Sequence, residues 1–158
     1  MYGLENCIKW VSENFSMIVR VLFAVYLLIL AFMDIRTRKL RLGILLAGFP
    51  LAAGGRAVSG GIPLPLVIAG GAAGALFVIV SRVTEEAFGY GDSILITISG
   101  IFLGIWGLLS MLVTAFFLAA VFSGIMLAGK RYTRRSSFPF VPFLTAAYMG
   151  GALIGGYG

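Results

Sequence analysis

Apolar residues run in long blocks broken by short polar clusters, and that rhythm sketches the fold. Residues 17–33 are apolar except for Arg20. The Arg20 stem can carry its charge back to an interface, so the block reads as a membrane span. Leu42–Gly55 is a second apolar block. Residues 63–81 form a third, opened by Pro63 and Pro65, which suit a helix start. Residues 93–129 carry no charge. That run is too long for one crossing of about 20 residues and predicts two, joined by a tight turn near Trp106-Gly107. Residues 138–154, with Pro139 and Pro142 near their start, make the last. The pattern predicts an all-α integral membrane protein, a bundle of six transmembrane helices. Residues 1–16, with Lys9 and Trp10, are expected to form an interfacial segment ahead of a six-span domain over 17–158.

The second block is short enough to be re-entrant instead of spanning. Charge arbitrates. If it crosses, nine of the 12 Lys and Arg (Arg36, Arg38, Lys39, Arg41, Arg82, Lys130, Arg131, Arg134, Arg135) share one side, facing Lys9, Arg20 and Arg56 on the other. If it does not, Arg56 joins the Arg36–Arg41 loop and most of the positive charge moves opposite. Only six crossings put the excess in the cytoplasm, as membrane proteins do. Both termini are then outside, and Asp34 and Asp92 share the cytoplasmic face. With five crossings they could not meet.

Composition sharpens this. The chain is 60% hydrophobic and 11% charged, against roughly a quarter charged in a soluble domain. The net charge of +6 sits in short loops between apolar runs, so nucleic acid is not an expected partner. The bilayer is. The start of the chain, with Glu5, Lys9 and Glu13, does not have the basic cap of a cleavable signal.

Candidate chemistry is narrow. There is no His and one Cys, Cys7. That removes histidine-dependent nucleophilic catalysis, the usual zinc ligands and any internal disulfide. No metal and no cofactor are expected. Six acids remain: Glu5, Glu13, Asp34, Glu85, Glu86 and Asp92. Glu5 and Glu13 belong to the outer segment. Asp34 ends the first span. It is either a helix-end charge facing Arg36 or Arg38, or an acid turned into the bundle. Asp92 follows Gly89-Tyr90-Gly91. It is either the cap of the fourth span or an active-site acid, with the two glycines leaving room for an approaching backbone. Glu85 and Glu86 are a solvated loop pair or a contact for a basic substrate segment. Gly70-x-x-x-Gly74 and Gly100-x-x-x-Gly104 are small-residue pairs suited to close helix contact.

The pairing of Asp34-Ile35-Arg36-Thr37-Arg38 at one span end with Gly89-Tyr90-Gly91-Asp92 opening another resembles the type IV prepilin peptidases, a family of Gly-x-Gly-Asp intramembrane aspartic proteases. Pro139-Phe140-Val141-Pro142-Phe143-Leu144 is similar to a segment these enzymes often carry at their last span. Two positions depart from the family pattern. Leu40-Arg41-Leu42 stands where Ile-Pro-Asn is common, and Ile94 where a Lys often follows the second aspartate. The larger enzymes also carry Cys-x-x-Cys pairs and methylate their product. With one Cys, this chain resembles the short, peptidase-only form.

The resemblance implies an aspartic endopeptidase with Asp34 and Asp92 as catalytic residues and Gly89, Tyr90 and Gly91 as active-site motif. The implied substrate is a prepilin-type protein with a basic leader, cut at the cytoplasmic face of a prokaryotic plasma membrane. Two other readings compete. A small membrane transporter would want polar groups across the midplane, which here are sparse. A non-catalytic subunit of a secretion or pilus machine would tolerate Asn at both aspartates.

Overall fold

The computed structural model describes residues 2–37, 40–59, 62–83, 89–129 and 139–155, and every element among them is helical. In chain order these are α1 (Tyr2–Thr37), α2 (Leu42–Leu46), α3 (Gly48–Ser59), α4 (Leu64–Val83), α5 (Tyr90–Ala128) and α6 (Val141–Leu153). Three stretches are long and apolar enough to cross a membrane: Asn14–Thr37, Leu64–Val83 and Tyr90–Ala128. Leu42–Gly55 and Val141–Leu153 are shorter apolar helices. Where the sequence leads one to expect six separate crossings, the described residues show three long apolar helical runs and two shorter ones. Residues 2–16, expected as an interfacial segment, are helical and continuous with the helix of the first span.

α1 explains why Asp34 faces inward. Val19, Phe23, Tyr26, Leu27, Leu30 and Ala31 are buried, and Asp34 extends that stripe by one more turn. The opposite face, including Leu22, Val25, Ile29 and Phe32, is equally apolar but exposed. A helix apolar all round, with one face packed and the other open, is the pattern of a lipid-contacting span.

The remaining elements alternate in direction around it. After α1 the chain returns along the same helix. The Tyr26 hydroxyl donates to the Leu45 carbonyl at 2.9 Å, Gly48 lies against the Tyr26 ring, and Gly55 lies against Val19. The expected second span is therefore broken between α2 and α3 at Ala47. Tyr26 satisfies a carbonyl at that break, which an apolar setting would otherwise leave costly.

α4 then runs back toward the Asp34 end, locked on α5 through glycine. A side chain at Gly70 would strike the Gly100 carbonyl, and one at Gly74 would strike the Thr97 backbone. The small-residue pairs singled out in the sequence do meet each other.

α5 is the centre of the bundle, with Leu95, Ile96, Ile98 and Ser99 fully buried. A straight helix of its 39 residues would be about 58 Å long. It is not straight. Gly104 has φ 70° and ψ 179°, and the chain folds back there. Phe102 stacks on Phe23 with ring centroids 4.1 Å apart, yet Phe116 stacks on Phe140 at 5.2 Å, beside the residue that touches Asp34. Leu108 likewise lies against Gly100. The expected pair of helices is present, but the turn is at Gly104, not at Trp106-Gly107. Ile62 and the Leu66 carbonyl crowd Gly104, and a positive φ with extended ψ is open essentially to glycine alone.

α6 closes the bundle antiparallel to α1 through a ladder of side-chain hydrogen bonds. Thr145 Oγ1 donates to the Leu27 carbonyl at 3.2 Å, and the Tyr148 hydroxyl donates to the Arg20 carbonyl at 3.2 Å.

Candidate active site

Asp34 and Asp92 arrive at the same end of the bundle from different directions. Asp34 is only 8% exposed although it lies one turn from the end of α1. The Val141 N–H, first in α6, donates to Asp34 Oδ2 at 3.2 Å. Asp92 is in the first turn of α5. The two carboxyls are close enough to act on each other electrostatically. Asp34 is thus turned inward, while its neighbours Ile35, Arg36 and Thr37 are exposed; Arg38, the other expected partner, lies outside the described residues. The arrangement also requires the return passage of α2 and α3, since without it the Asp34 and Asp92 ends would lie apart.

The Gly-Tyr-Gly segment works differently from the sequence expectation. Gly89 is the N-cap of α5, so Asp92 is not, and Gly89 has an ordinary φ of −50°. Neither motif glycine adopts a positive φ, which among the described residues falls to Gly104 and Gly155. Their smallness matters instead. A Cβ on Gly89 would sit 3.0 Å from Asp92 Oδ2, and one on Gly91 would sit 2.8 Å from Leu40 Cδ1. The space expected for substrate beside Gly91 is filled by Leu40, which carries the chain leaving α1 across the start of α5. Tyr90 lies 6.0 Å under the Arg82 guanidinium, so the last turn of α4 holds the motif from the other side. The hydroxyls of Ser93 and Thr97 bond back to the Gly89 and Ser93 carbonyls at 3.2 and 3.0 Å. Glu85 and Glu86 lie outside the described residues.

Two contributors escaped the sequence: the Val141 amide and Leu40. The first had a signal. Pro142 supplies no N–H, and Phe143 and Leu144 N–H both turn back to the Phe140 carbonyl. A helix that begins in this way leaves its first amide to point outward.

A buried carboxyl and a half-buried one on separate helices, with water as co-reactant, have the groups needed for acid–base hydrolysis without a metal ligand. The comparisons agree in class. The model of the type IV leader peptidase family matches residues 21–124, both aspartates included. Among curated proteins and solved structures none matches. The chain belongs to the type IV leader peptidase family. It is a membrane peptidase.

Proposed function

We propose that this peptidase is an aspartic endopeptidase that removes the basic leader from prepilin-type proteins at the cytoplasmic face of a prokaryotic plasma membrane. What supports the reading is that Asp34 on α1 and Asp92 on α5 lie at the same end of the bundle, near enough for their carboxyls to interact electrostatically. Counting the two halves of α5, the α2–α3 passage and the other three helices as six crossings puts Arg36, Arg41 and Arg82 on the cytoplasmic side together with both aspartates.

Two adjacent carboxyls do not ionise together comfortably, so the pair holds one proton. The ionised member takes a proton from water, and the water oxygen bonds to the scissile carbonyl carbon. The protonated member gives its proton to the carbonyl oxygen. On collapse the C–N bond breaks, the carboxyl protonated in the first step gives its proton to the leaving nitrogen, and the other carboxyl takes back a hydroxyl proton. The substrate's apolar helix would lie in lipid with its leader in the cytoplasm, which brings the cut site to the depth of the pair. Glu85 and Glu86 offer local attraction to that leader. The transporter alternative gains little from the mid-span hydroxyls, of which the buried Ser99 hydroxyl is without a partner among the described residues. Thr97, Thr114 and Thr145 all bond to backbone carbonyls rather than standing free for a path.

The test is cleavage of a prepilin-type protein in membranes. Asp34→Asn and Asp92→Asn should each insert normally and lose at least about 10²-fold in rate, the scale of general acid–base assistance. Near-normal turnover by either variant would overturn the reading.

A further inference from the structure

The two carboxyls of the proposed pair are not equivalent, and the difference lies in the backbone. Asp34 Oδ2 accepts the Val141 N–H, whereas among the described residues no hydrogen bond reaches the Asp92 carboxyl, which lies against the bare Cα of Gly89. An N–H donor binds a carboxylate roughly twice as strongly as a neutral acid. Val141 is also the first residue of a helix, so the partial positive charge of the α6 N-terminus falls on the same oxygen. Pro142 concentrates the effect. It has no N–H, and the next two amides are spent on the Phe140 carbonyl at 3.0 and 3.3 Å. The outward donor of this turn goes to Asp34.

We propose that the Val141 backbone N–H is a positioning group that divides the labour of the pair: it fixes Asp34 as the ionised member and leaves the shared proton on Asp92. This rests on the aspartic-peptidase reading and goes beyond it, since that reading is silent on which acid does what. In the forward step the Asp34 carboxylate takes a proton from water, the water oxygen bonds to the carbonyl carbon, and Asp92 gives its proton to the carbonyl oxygen. In the return step the proton on Asp34 goes to the leaving nitrogen as the C–N bond breaks. The hydroxyl proton of the re-forming carboxyl group goes back to Asp92. The cycle consumes one water and restores both side chains. Of the titratable groups on the described elements around Asp34, Asp92 on α5 faces it. Arg36 on its own helix and Arg41 in the following linker are exposed, and Tyr148 on α6 is engaged at the far end with the Arg20 carbonyl.

The direct test replaces the amide at 141 by an ester, using the hydroxy-acid analogue of valine, in the full chain in lipid vesicles. Cleavage of the prepilin-type substrate should lose roughly tenfold in kcat with KM held. The acid limb of the pH–rate profile should move toward neutrality by about one pH unit. A control ester at Ala147, within the same helix and away from Asp34, should leave that limb in place. Val141→Pro also removes the N–H and serves if the ester chain does not assemble. An unmoved acid limb in the 141 variant, with Asp34→Asn and Asp92→Asn inactive, would overturn this proposal and leave the peptidase reading standing. Active Asn variants would remove both.

Discussion

Two seams hold the bundle, and they are built from opposite materials. Between α4 and α5 the contact is backbone on backbone, at Gly70, Gly74 and Gly100. Between α1 and α6 it is large side chains and directed hydrogen bonds: Phe23 edge-on to Tyr148 at 5.2 Å, Thr145 on Leu27 and Tyr148 on Arg20. Each seam ends at one aspartate. Asp34 finishes the hydrogen-bonded seam and itself accepts a bond. Asp92 stands on the helix of the glycine seam, and among the described residues no hydrogen-bond donor reaches its carboxyl, which lies against Gly89. In lipid, where apolar burial gives little drive between helices, close approach and polar links are the two available ways to fix a helix pair. The difference teaches that one acid is held by bonds and the other by lack of obstruction.

The comparison can be broken most severely at the glycine seam. Gly100→Leu sets a side chain against the Gly70 carbonyl, which is backbone and cannot swing aside. It should cost at least about 3 kcal/mol, read as a large loss of thermal stability in detergent. A stable Gly100→Leu protein would mean the seam is looser than described. Gly89→Ala should sharpen the contrast without unfolding anything. Its Cβ presses on Asp92 Oδ2 from 3.0 Å, and a displacement of a few tenths of an ångström should lower kcat on the order of tenfold, with little change in melting temperature. An equal loss of stability would assign Gly89 to the scaffold instead. Thr145→Val, at the hydrogen-bonded seam, removes the hydroxyl that donates to Leu27 and Val141 carbonyls. It should cost about 0.6 kcal/mol, a typical value for one such link in a membrane bundle, read by unfolding measurements in detergent.

Much of this was legible because the governing signals are local or conserve parity. The count of apolar blocks and the asymmetry of Lys and Arg put Asp34 and Asp92 at one end. The spacing of Gly70, Gly74, Gly100 and Gly104 announced the glycine seam. What stayed hidden depends on contacts between distant residues. Both Gly104 and Gly107 are able to turn the chain, and the choice is made by Ile62 and Leu66, some forty residues earlier in sequence. The break between α2 and α3 at Ala47 has no glycine or proline at that residue, and it is tolerated because Tyr26 covers the Leu45 carbonyl. The inward face of Asp34 follows from helix periodicity, but its partner on α6 is 107 positions away. Leu40 over Gly91 is of the same kind.

The fold-back at Gly104 carries a consequence for the lipid. Residues 90–103 rise only about 21 Å, and the 13 residues of α6 about 20 Å, while a hydrocarbon layer is about 30 Å deep. The two elements that bear Asp92 and the Val141 amide are stunted relative to α1 and α4 beside them. Neither is long enough to cross such a layer on its own, so the peptidase's activity should depend on the thickness of the bilayer that holds it.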